Sequence, residues 1–106
     1  MMVSIYKEAV RDALYPKKKG RLRKDNKFLS VREVKAMDSG DVHRLRTSLF
    51  LSTAVFASVL SVSPKTVEAW ESGANTPSGP ALRLMNLLAR NPDILIDEGI
   101  LEEHFR

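Results

Sequence analysis

ASVLSVSPKTVEAWESG, Ala57 to Gly73, carries the only tryptophan of the chain, Trp70. Around it, small and apolar residues recur at helical spacing. Ser52 is placed to cap a helix with Val55, Phe56, Val59 and Leu60 on one face. Ser63-Pro64 then opens another helix: serine is a good N-cap, and proline is tolerated at the first helical position because its missing N–H costs no bond. Val67 and Trp70 point inward from this helix, and Gly73 suits its C-cap. The two helices are joined by three residues only, Ser61-Val62-Ser63. Two helices that cross so closely need a small residue at the crossing, which Ala57 supplies. Trp70 is therefore expected in a core with Phe56, Leu60, Val62 and Val67. Lys65, Thr66, Glu68, Ala69 and Ser72 are left outside.

Outward from this stretch, Val42, Leu45 and Leu49 repeat at helical spacing from Ser39, with Arg44 and Arg46 between them. Ser78 is expected to open a helix running to Arg90, with Leu82, Met85 and Leu88 inward. Asn91-Pro92 stops it and starts a last helix holding Ile94, Leu95, Ile100 and Leu101. Near the start, residues 4–14 read as a short helix capped by Ser4. Ile5, Ala9, Val10, Ala13 and Leu14 share one side, and Pro16 ends it. Residues 17–27, KKKGRLRKDNK, carry seven basic side chains and read as a loop. Residues 28–37 are ambiguous: Ser30 with Glu33 resembles a capping box, but the valines favour a short extended segment.

With 106 residues, one domain with an arm is the expectation. The net charge of +4 is unevenly placed. Residues 1–38 hold eleven Lys/Arg against five Asp/Glu, while residues 39–106 hold six against eight. The chain thus divides into a basic arm, 1–38, and a mildly acidic body, 39–106. The absence of cysteine removes disulfides and thiolate metal sites and suits a reducing compartment. No signal peptide or membrane-length apolar run is visible, so a cytoplasmic protein is expected. His43 and His104 lack metal-ligand spacing, and no nucleophile–base set or phosphate loop occurs. Neither catalysis, a metal nor a cofactor is expected.

The pattern from Thr53 to Ser72 is a helix-turn-helix, in which the second helix enters the DNA major groove and its early residues reach base edges. At this point residues 41–95 resemble the Cro/phage-repressor type of domain and, more narrowly, an antitoxin of the HigA kind. The residues carrying the resemblance are Leu51-Ser52, Val62-Ser63, Thr66-Val67 with Trp70-Glu71 and Gly73, Pro77 to Leu82, and Asn91-Pro92. The leading helix and the basic Gly20 segment are more loosely similar to that family's N-terminal arm. The fold class expected is all-α: a five-helix domain with an N-terminal helical or extended arm. The resemblance implies a homodimer that represses its own operon on a palindromic operator and neutralises an mRNA-cleaving toxin of the RelE/HigB-like fold. A repressor acting without a toxin partner is the alternative.

Four features depart from the family's pattern. Thr53 replaces a phosphate-binding glutamine, Ser61 and Phe50 replace glycines, and Ala74-Asn75-Thr76 replaces a loop that is often basic. DNA binding by the body alone is therefore expected to be weak or to need the arm, since phosphate contacts supply most non-specific affinity. The expected DNA contacts are Ser52, Thr53, Ser63, Lys65, Thr66, Ala69 and Asn75. Ile94, Leu95, Ile100 and Leu101 are expected at the dimer interface. In the arm, Ile5, Tyr6, Val10 and Leu14 are expected to pack on the toxin, or to fold onto the body when the toxin is absent, with Arg21 and Arg23 beside an acidic patch or near DNA. Glu68 and Glu71 would repel phosphates unless they face cytosine amines or solvent.

Overall fold

The computed structural model describes residues 10, 13, 14 and 27–104. The chain divides into two compact units, Met1–Arg32 and Glu33–Arg106. In the first, Val10, Ala13 and Leu14 are helical and exposed. Lys27 and Phe28 form a turn in which the ammonium sits 5.1 Å from the ring centroid. The rest of the helix expected over 4–14 and residues 17–26 of the basic run lie outside the described residues.

The second unit is built from five helices, with no strand among the described residues: α1 (Ser39–Ser48), α2 (Thr53–Leu60), α3 (Pro64–Ser72), α4 (Gly79–Arg90) and α5 (Ile94–Asp97). The all-α fold read from the sequence is what the structure shows. α3 packs on both α1 and α2, and α2 also contacts α4. Val42, Leu45, Phe56, Ala57, Leu60, Val67, Trp70, Met85, Leu88 and Leu95 form one buried cluster, so every helix contributes to it. Full burial of side chains such as Phe56 and Met85 contributes about 1.5–3 kcal/mol each.

Local signals place the helix ends. Ser52 accepts a hydrogen bond from the Val55 N–H and Ser63 from the Thr66 N–H, as their capping positions require. α1 begins with a reciprocal capping box, Asp38 with Asp41, while the Ser30–Glu33 pair caps nothing, because residues 29–38 are not helical. What fixes this irregular segment is the Asn86 side chain on α4. Its Oδ1 accepts from the Lys35 N–H at 2.8 Å and its Nδ2 donates to the Lys35 carbonyl at 3.0 Å. A side-chain amide here pairs with a peptide group as a neighbouring strand would.

Two details of the helical reading change. Val55 is turned outward and 40% exposed, because its neighbours Phe56 and Ala57 take the inward positions. The last helix ends at Asp97, and Ile100 and Leu101 follow it in a turn closed by the Leu101 N–H on the Leu95 carbonyl.

Two non-glycine residues have positive φ, Phe50 (58°) and Ser61 (57°). Ser61 forms the left-handed C-cap of α2, and its N–H reaches the carbonyls of Ala57 and Ser58. Phe50 closes α1 and is 94% exposed, so no packing among the described residues compensates it. A side chain in this region costs about 1–2 kcal/mol, a penalty glycine lacks. Phe50→Gly and Ser61→Gly are each expected to stabilise the domain by about 1 kcal/mol, since glycine's extra unfolded-state entropy offsets part of the gain. Thermal denaturation should show this as a higher Tm than that of the matching alanine variants. An equal or lower Tm would mean that the turns are not strained.

Candidate nucleic-acid interface

The exposed face of the motif is assembled from two helix starts and the row of side chains between them. With about 100° of rotation per residue, Lys65, Glu68, Ala69 and Ser72 fall on the side of α3 opposite Val67 and Trp70. Lys65, Glu68 and Ser72 are exposed, whereas Thr66 and Ala69 are half-buried on the flanks. The Ser63 and Thr66 hydroxyls are hydrogen bonded to each other at 2.9 Å, which fixes the threonine rotamer and leaves its methyl to project. Ser52 is exposed at the start of α2, with Thr53 half-buried beside it. The cap uses the Val55 N–H, so the Thr53 and Ala54 amides remain without an intrahelical acceptor, as donors suited to an anion. Asn75 is exposed past α3, and its N–H holds the Ala69 carbonyl at 3.1 Å. Ser52, Thr53, Ser63, Lys65, Thr66, Ala69 and Asn75 all lie on these two helices and the loop after α3.

α3 is held in place by an ion-pair cluster under this face. Arg46 on α1 grips Glu71 on α3 with two bonds, Nε to Oε2 at 2.7 Å and Nη2 to Oε1 at 3.0 Å. Its Nη1 donates to the Leu51 carbonyl at 3.0 Å, just ahead of α2. His43 adds a third contact, Nδ1 to Glu71 Oε1 at 2.7 Å, in which the ring N–H donates because a carboxylate only accepts. One guanidinium thus ties together α1, α3 and the approach to α2. The hydrogen bonds from Arg46, and then from His43, hold the Glu71 carboxyl below its ordinary range, and Glu71 raises the Arg46 guanidinium in turn. Glu71 therefore faces neither solvent nor a base: it is tied to Arg46 and His43 within the domain. Pairing with a residue 25 positions away left no local signal.

Leu95 is buried at 3% exposure in the core of its own domain, which corrects its assignment to the dimer surface. The helix it sits on is one turn long and faces the core through this residue. Ile94 and Leu101 are half-buried, while Ile96 and Ile100 are 53% and 44% exposed. Ile100 and Leu101 line a shallow apolar groove of about 240 Å³ with Ala54, Val55, Ser58 and Val59. Of the arm residues named for partner binding, Val10 and Leu14 are exposed, at 48% and 67%. Ile5, Tyr6, Arg21 and Arg23 lie outside the described residues. Among the described residues no helix is long and apolar enough to cross a membrane.

No family model matches the chain. A curated protein from Vibrio cholerae serotype O1, Antitoxin HigA-2, is 36% identical over 55 residues, which make up 52% of this chain and 53% of that protein. The chain therefore spans about half the length of this curated relative. The similarity to a HigA antitoxin implied by the motif residues between 41 and 95 is thus met by a protein of that name.

Proposed function

We propose that the protein is the antitoxin of a type II toxin–antitoxin pair, which neutralises a RelE/HigB-like mRNA-cleaving toxin and represses its own operon as a homodimer on a palindromic operator. The observation that carries this reading is a capped α3, locked to α1 through Glu71, that leaves Lys65 and Thr66 at its outward N-terminal end. The similarity to Antitoxin HigA-2 supports the toxin-directed half. Co-expression with a RelE-like toxin is the test: rescue of growth and co-purification are expected, and neither would be seen for a repressor acting alone.

On the DNA side, α3 reads bases and the starts of α2 and α3 hold phosphates. Lys65→Ala is expected to weaken operator binding by about 1–3 kcal/mol if its contact is to a guanine edge. Unchanged affinity in a Lys65→Ala, Thr66→Ala double variant would place the wrong helix in the groove. The groove lined by Val55, Val59, Ile100 and Leu101 supports pairing of two copies. Two α3 helices about 34 Å apart then meet successive major grooves. A monomer in sedimentation at micromolar concentration, with no palindrome protected in footprinting, would contradict the dimer.

A further inference from the structure

The two glutamates of α3 stand three residues apart and have opposite surroundings. Glu71 is enclosed by Arg46 and His43, so its charge is neutralised inside the domain. Glu68 is exposed, and among the described residues it makes no hydrogen bond or ion pair. Lys65, one turn earlier on the same row, is also unpaired, although opposite charges three apart on a helix are placed to meet. The row proposed to enter the groove therefore carries one free cation and one free carboxylate.

A free carboxylate on a surface that approaches phosphates is a repulsive element unless it meets a donor. We propose that Glu68 is a base-reading residue whose carboxylate accepts a hydrogen bond from the exocyclic N4 amine of cytosine in the major groove, making that base pair a required part of the operator half-site. This rests on the DNA-binding reading above. The chemistry selects cytosine. Guanine and thymine present acceptors to the major groove, which repel a carboxylate. Adenine offers its N6 amine, but beside the N7 acceptor. Only the cytosine amine stands with no acceptor of the same base next to it. The carboxylate also acts against other sequences, because guanine or thymine leaves it desolvated and unpaired and adenine sets its N7 acceptor beside it.

The test is selection from a random-sequence duplex DNA library with the full chain and its Glu68→Gln and Glu68→Ala variants. The unsubstituted chain is expected to enrich a site with cytosine at one fixed position of each half-site, by about tenfold or more over other bases. In Glu68→Gln the preference at that position should move to adenine, whose N6 and N7 match a side-chain amide, with the rest of the site unchanged. Glu68→Ala should lose the preference there. If Glu68 only repels phosphates, both variants will bind all sequences more tightly and enrich the same site as the unsubstituted chain, which overturns the proposal alone. If the unsubstituted chain enriches no site, the DNA-binding reading falls and this proposal with it.

Discussion

Arg46→Ala is expected to lower the unfolding free energy by about 3 kcal/mol, the lower end of the range for breaking a buried ion pair. The lower end applies because the two side chains keep 16% and 15% of their exposure. Two groups lose donors: the Glu71 carboxylate loses its bidentate partner and keeps only His43, and the Leu51 carbonyl loses the Nη1 contact. Small domains have only about 5–15 kcal/mol in total, so the loss is a large fraction. Lysine should rescue little, since an ammonium cannot span both carboxylate oxygens and the carbonyl in this geometry. Urea denaturation checks this, and an unchanged midpoint for Arg46→Ala would show that the pair adds nothing.

The same cluster gives the domain an acid limit. Glu71 has a folded-state pKa below its unfolded one, through its bonds to Arg46 and His43. Its stabilising contribution is then fully present above the ordinary carboxylate pKa and is lost as pH falls through the lowered folded value. Asp41 is shifted in the same direction by the Asp38 backbone N–H and by Arg44, so it adds to the acid limb. Glu71→Gln should therefore flatten the limb only in part.

How far the sequence could be read depended on the range of each signal. The caps at Ser52 and Ser63 and the core places of Phe56, Ala57, Val67 and Trp70 all follow from residues within a turn or two of each other. The Asp38–Asp41 box was equally local, but Ser30–Glu33 matched the same pattern with a glutamate. Position in the chain decided between them: α1's apolar periodicity begins after Asp38. The Lys35–Asn86 pairing and the Arg46–Glu71 pair join residues 51 and 25 positions apart, and only the packed fold brings them together. Leu95 was misplaced for a related reason. Ile94, Leu95, Ile100 and Leu101 form an apolar group whose inward and outward members depend on where the short helix stops. Periodicity could not say that it stops at Asp97.

Removing residues 1–32 is expected to abolish toxin neutralisation while leaving a folded, dimeric domain. The cut follows the boundary between the two units, Arg32 and Glu33, and so keeps the Lys35–Asn86 pairing and Met37, which packs against the core. Every buried residue of the core cluster lies beyond the cut. The removed piece holds ten Lys/Arg against three Asp/Glu. Charge alone would send it to DNA phosphates, because an RNA-cleaving toxin must itself bind a polyanion and is expected to be basic. The apolar stripe argues the other way. A helix as short as the one expected over 4–14 is marginal alone in water, and Val10 and Leu14 lie exposed, at 48% and 67%. We therefore propose that Ile5, Tyr6, Val10 and Leu14 pack on the toxin, or fold onto the body when the toxin is absent, with Arg21 and Arg23 on an acidic patch away from the toxin's RNA groove or near DNA. Two measurements on the truncated protein separate these roles. If the arm serves the toxin, growth rescue is lost, and operator affinity keeps its salt dependence. If it serves DNA, rescue persists at equal concentration and the salt dependence falls by nearly one unit of slope for each phosphate contact removed. Persistent rescue would hand neutralisation to the body, where the exposed Ile96 beside the acidic residues Asp97, Glu98, Glu102 and Glu103 forms a surface left to meet a basic toxin.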